Sequence, residues 1–149
     1  YNRYLEQISE LYNNISAIED VFEESLKMQK AMTNALKKAK ILPGVIEAKI
    51  AALKDDLDKI NLSLNGSPSR LEVGERNPAD LNDYLYSASS GLRNSYGPTP
   101  LHAKSLEMAK KLLSELKTEV IQISKTKIPE IQILLKEADA PYIIGQGIE

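Results

Sequence analysis

The chain has 149 residues, enough for one domain with a core of its own, and a net charge of -2 that lacks the concentrated positive charge a general affinity for nucleic acid needs. Cysteine is absent, which excludes disulfides, thiolate catalysis and zinc–thiolate centres. With no tryptophan, one phenylalanine and seven tyrosines the core must be aliphatic, and no apolar run approaches the ~20 residues that a membrane-spanning helix requires.

The first predicted helix runs from Asn2 to about Lys40. Tyr4, Ile8, Leu11, Ile15, Ile18 and Phe22 recur at alternating steps of four and three, which places them on one stripe of a helix. The same register continues through Ser25, Gln29, Met32 and Leu36, so two polar residues fall in mid-seam, where they set the register or mark a local wet spot. Leu5, Tyr12, Val21 and Leu26 widen the apolar face and predict contact with more than one neighbour. Lys37, Lys38 and Lys40 sit where cations favour the negative end of the helix dipole.

Leu42-Pro43-Gly44 is the break, and so short a link predicts that the second helix folds straight back as an antiparallel hairpin. That helix, Gly44 to Leu64, carries the clearest seam of the chain: Ile46, Ile50, Leu53, Leu57, Ile60 and Leu64. Asp55 and Lys59 are placed as an outer i,i+4 pair, and Asn65-Gly66 ends the helix with residues that tolerate left-handed geometry. At roughly 57 Å and 30 Å the two helices are unequal, so the first half of helix one needs another cover.

Ser67–Arg76 reads as a loop. Asn77-Pro78-Ala79-Asp80 predicts a helix start with asparagine as cap, proline first and an acid third. The third helix follows to about Asn94, with Leu81, Leu85, Ala88 and Leu92 on one face and small residues from Ser87 to Gly91. In Tyr96-Gly97-Pro98-Thr99-Pro100, Thr99 caps and Pro100 opens a fourth helix whose seam is Leu106, Ala109, Leu113, Leu116, Val120 and Ile123. Pro129 breaks or kinks it after Ile128, and a last stretch carries Ile131, Leu134, Leu135 and Ala138. The apolar tail, residues 139–149 with Tyr142, Ile143, Ile144 and Ile148, docks on the bundle or meets another domain. The expected fold is therefore all-α: one antiparallel up-and-down bundle over residues 1–149, with three long helices, one shorter one, a late kink at Pro129 and crossing angles near ~20°.

Signals for chemistry are weak. His102 is the single histidine and falls in the first turn of helix four, so neither an inward Glu-x-x-His di-metal pattern nor a closed zinc site can be assembled. The adjacent acids Glu19-Asp20, Glu23-Glu24 and Asp55-Asp56 diverge around their helices and read as solvated surface rather than an acid/base pair. No G-x-S-x-G elbow exists, and Gly145-Gln146-Gly147 is too short for a nucleotide fingerprint. Tyr4, Tyr12, Tyr84, Tyr86, Tyr96 and Tyr142 read as half-buried rim residues ahead of a stacking platform for sugar rings. The N-x-[ST] matches at Asn14, Asn61 and Asn65 carry meaning only in a eukaryotic secretory setting. No catalytic, cofactor-binding or metal-binding residue is assigned.

The second half carries a recurrent pattern: Asn77-Pro78-x-x-Leu81-Asn82, Leu85, Gly97-Pro98-Thr99, a leucine-spaced helix, then Ile128-Pro129-x-Ile131, Leu134-Leu135 and Ala138-x-Ala140-Pro141. It resembles the helical C-terminal segment of large exported bacterial proteins with sortilin-like, BNR-repeat β-propellers, often labelled glycosyl hydrolases. The layout match covers about residues 1–145 and the residue pattern 77–141; Gln132 departs from the asparagine the pattern favours soon after the late proline. The resemblance implies an extracytoplasmic location and a propeller upstream that holds any sugar-related activity, the chain itself being an appended bundle without catalytic residues. The start at Tyr1 in place of methionine fits a fragment or processed form. Three functions follow in order: a non-catalytic accessory module that meets a neighbouring domain or protein partner; a stand-alone adaptor holding a partner helix or peptide, with the apolar tail and the notch at Ser25 and Gln29 as its groove; and, last, an enzyme or carrier with a cavity in the bundle.

Overall fold

The computed structural model describes residues 2–38, 44–66, 80–93 and 97–138. Their regular structure is helical throughout: α1 (Asn2–Lys38), α2 (Gly44–Asn65), α3 (Leu81–Ser90), α4 (Pro100–Gln122), a π-helical segment (Ile123–Lys127) and α5 (Ile128–Glu137). The fold is an all-α helical bundle. Two compact units are recognisable, one drawing on Tyr1–Ile18 with Ile60–Lys117 and the other on Glu19–Lys59 with Thr118–Glu149.

The seams are the core. In α2 all six expected residues are buried, none more than 4% exposed. In α1 Ile8, Leu11, Ile15, Ile18 and Phe22 are buried, and Met32 is wholly so. Ser25 and Gln29 keep their inward places and find partners on their own helix. Ser25 Oγ donates to Val21 O at 2.9 Å, Gln29 Nε2 donates to Thr33 Oγ1 at 3.0 Å, and Thr33 Oγ1 donates to Gln29 O at 3.0 Å. Further along, Ala31 and Ala35 are buried and Leu36 is only half-buried, because Ala35 takes the inward position.

The wider apolar face expected of α1 does not form. Leu5, Tyr12 and Val21 are 42%, 49% and 37% exposed, and Leu26 is half-buried. These positions flank the stripe, and of them Tyr12 reaches another helix only through its hydroxyl, 3.3 Å from Ser89 Oγ. The Asp55–Lys59 pair is also unmade among the described residues: both side chains are exposed, and the neighbouring Asp56 is the carboxylate that finds a lysine.

Helix ends follow local chemistry. Gly66 takes φ 75° and its N–H donates to Leu62 O at 2.9 Å, closing α2 in the left-handed conformation that glycine adopts without strain. The start of α3 needs a correction. Asn77 and Pro78 lie outside the described residues, but Asp80 has extended backbone (φ -91°, ψ 179°) and is the cap of α3, not an acid in its first turn. Asp83 N–H donates to Asp80 Oδ1 at 2.9 Å while Asp80 N–H donates to Asp83 Oδ2 at 3.0 Å, a reciprocal capping box. At the other end α3 stops at Ser90, short of Asn94, in a turn where Gly91, Leu92 and Arg93 N–H groups reach back three residues. Leu81, Leu85 and Ala88 are buried; Leu92, beyond the helix, is half-buried.

Pro129 does not break the late helix. Lys127 (φ -69°, ψ -45°) and Ile128 (φ -64°, ψ -50°) remain right-handed helical, so the helix continues into Pro129 without a break at Ile128. The irregularity lies upstream, as a wide π turn in which Ile128 N–H donates to Ile123 O. The tail 139–149 and Lys40 lie outside the described residues.

Two substitutions test this core. Leu116→Ala, at a site 2% exposed, is expected to lower unfolding free energy by about 2–5 kcal/mol in urea titration, whereas Val45→Ala, at 59% exposed, changes it by less than about 0.5 kcal/mol. Asp80→Ala removes the α3 cap and is expected to cost about 1 kcal/mol.

Candidate functional site

Among the described residues, polar side chains from separate helices come together in each unit. In the first unit the start of α1 meets the end of α3 and the start of α4. Tyr4 Oη lies 2.5 Å from Ala88 O and 3.2 Å from His102 O, so its proton goes to the nearer carbonyl. Burial pushes the Tyr4 phenol above the usual tyrosine range. Tyr12 Oη is 3.3 Å from Ser89 Oγ, and Ser87 Oγ is 2.8 Å from Ser105 Oγ, which ties α3 to α4.

His102 sits at the centre of this cluster and caps a helix. Thr99 N–H donates to His102 Nδ1 at 3.0 Å, and His102 N–H reaches Thr99 Oγ1 at 3.4 Å. This is a capping box in which an imidazole takes the place usually held by glutamate or glutamine. A backbone N–H can only donate, so Nδ1 presents its lone pair to the helix start. Gly91 packs flush against the ring: a Cβ there would lie 3.1 Å from both Cβ and Cγ of His102. The expected Thr99 cap is therefore present, and the histidine that sequence reasoning left in an exposed first turn is half-buried inside it.

In the second unit, Lys49 Nζ meets Glu130 Oε1 at 2.6 Å and Lys127 Nζ meets Asp56 Oδ2 at 2.6 Å. The order of the pairs, 49 with 130 and 56 with 127, makes α2 antiparallel to the π turn and α5. With Ala52, Leu53 and Ile131 these four residues line a shallow open groove of about 200 Å³. Each cation in it already faces an anion, so the groove presents no uncompensated charge to a ligand.

The other residues singled out from the sequence do not converge. Glu19, Asp20, Glu23, Glu24 and Asp55 are exposed, as are Lys37 and Lys38 in the last turn of α1. Tyr86 is 73% exposed with the Arg93 guanidinium 5.7 Å from its ring centre, and Tyr84 is half-buried. Tyr96, Tyr142 and Gly145-Gln146-Gly147 lie outside the described residues. Among the described residues no cluster of three or more histidine or acidic side chains is placed to hold a metal ion, and no helix is long and apolar enough to cross a membrane.

Sequence reasoning missed the two interhelical ion pairs, although a signal existed. Lys49, Asp56, Lys127 and Glu130 each stand immediately before a buried seam residue, Ile50, Leu57, Ile128 and Ile131. Those seam-flanking positions are where opposite charges meet across packed helices. No protein-family model matches the chain, and neither does any curated protein or solved structure.

Tyr4 yields a test with a defined sign. A raised phenol value means that the folded chain favours the protonated form, so this contribution is intact below the unfolded value of about 10 and falls as pH climbs from there through the raised folded value. Tyr4→Phe is expected to cost about 1 kcal/mol near neutrality through its lost hydrogen bond. The gap between variant and wild type should then narrow as pH rises above the unfolded value of about 10 in denaturant titrations.

Proposed function

We propose that this chain is a non-catalytic helical accessory module of an exported multidomain protein, appended to a β-propeller of the sortilin-like, BNR-repeat kind. One observation supports it above the others: the polar side chains that the bundle draws inward are committed to its own backbone and side chains. Ser25 and Gln29 bond within α1, Asp80 and His102 cap α3 and α4, and Tyr4 joins three helices. An inward polar set of that kind holds helices together and, among the described residues, is used up in the fold's own hydrogen bonds. The module's work is then mechanical, to support or cap a neighbouring domain, with any sugar chemistry in the propeller. The gene decides the matter: the reading frame upstream of Tyr1 is expected to encode repeats with Asp-box motifs. An upstream region that encodes no attached domain overturns the proposal.

A stand-alone adaptor is the second reading, supported by exposed apolar side chains in both units: Leu101 at 68% and Tyr86 at 73% in one, Val45 at 59% and Ile133 at 58% in the other. The notch at Ser25 and Gln29 does not serve it, since both residues are buried and bonded within their own helix. Sedimentation velocity across a concentration series separates the readings. Reversible self-association, abolished by Leu101→Lys or Ile133→Lys, favours the adaptor; a monomer at every concentration favours the appended module.

A further inference from the structure

The inward positions of the last rod can be counted. Leu106, Ala109, Leu113, Leu116, Val120 and Ile123 alternate steps of three and four, and the next buried residues are Ile128, Ile131 and Leu135. The step from Ile123 to Ile128 is five, one residue more than the repeat allows. Continued without interruption, the repeat would turn Lys127, Glu130 and Leu134 inward. In the structure Lys127 and Glu130 instead flank the seam and reach Asp56 and Lys49, while Leu134 is half-buried.

We infer that the π turn at Ile123–Lys127 is a register device imposed by this seam, and that Pro129 is not its cause. A π turn lets one extra residue into the helical ladder and rotates everything downstream by about 100°. That rotation takes a lysine and a glutamate out of the core and puts two isoleucines and a leucine in. It also carries the two displaced charges to the positions from which they clasp α2. Burying an ammonium and a carboxylate in an aliphatic seam costs far more than one loosened turn, so the chain adopts the wide turn whether or not a proline follows it. The proline is accommodated just past the wide turn, in the first turn of α5.

The two causes part company in variants. Pro129→Ala is expected to retain the Ile128 N–H to Ile123 O bond and the Lys127–Asp56 pair, read from a crystal structure or from amide exchange and side-chain nuclear Overhauser contacts. In the Pro129→Ala background, deleting Thr126 removes the extra residue and should restore an unbroken α-helix with its seam intact. Deleting Glu119 from the regular part of α4 in the same background should instead turn Val120 and Ile123 off the inward row. The Thr126 deletion is therefore expected to melt within about 5 °C of Pro129→Ala, and the Glu119 deletion far lower. A regular α-helical ladder across 123–128 in Pro129→Ala overturns the inference. So does a Thr126 deletion that melts no higher than the Glu119 deletion or does not fold.

Discussion

An aliphatic stripe on a long helix has to face inward along its whole length, and in this chain few large side chains compensate when it does not. With no tryptophan and Phe22 as the single phenylalanine, the core is otherwise made of leucine, isoleucine, valine, alanine and methionine in rows. Each residue buries a modest area, so the stability of the bundle is a sum of many similar contributions of about 1.5–3 kcal/mol for each fully buried large side chain, before the entropy of ordering the chain is subtracted. The constraint therefore acts through continuity. A local fault is repaired in the backbone, as at the π turn, and the rows stay inward.

The polar chemistry is arranged around that constraint. Helix ends leave backbone donors and acceptors that must be bonded, and the chain supplies Asp80 with Asp83, Thr99 with His102, and Gly66 for those ends. Charged residues that flank the rows pair across helices in the second unit. At exposures between 33% and 52% these pairs guide alignment more than they stabilise, since solvent-screened ion pairs contribute little each. Among the described residues, His102 caps a helix, Tyr4 and Tyr12 make interhelical contacts, and Glu19, Asp20, Glu23, Glu24 and Asp55 lie on the exposed surface.

How much of this was legible depends on the range of the interaction. The rows of α2 and α4 were plain, because burial on one face writes itself at a fixed spacing that no distant residue alters. Thr99-Pro100 and Asn65-Gly66 were plain for the same local reason. The cap of α3 was placed three residues early because Asn77-Pro78 offers a good start by composition, whereas the extended backbone at Asp80 makes Asp80 the cap. Leu5, Tyr12 and Val21 were overread: apolar character marks what a position tolerates, and whether a neighbour arrives to cover it is a tertiary matter. The π turn is written in the five-residue gap between Ile123 and Ile128, beside a proline that suggests a break of its own. His102 was placed in the correct turn, yet its ring contact with Gly91 joins residues whose proximity no spacing rule announces.

That last contact has a consequence for redesign. Where a methyl group would already stand 3.1 Å from an imidazole carbon, the end of α3 and the start of α4 share one small volume and cannot be altered independently. A bulkier residue at 91 calls for a slimmer one at 102, and a slimmer one at 102 gives up the acceptor that fastens Thr99. The two positions trade volume against helix initiation, so libraries that vary this corner should sample them as a linked pair.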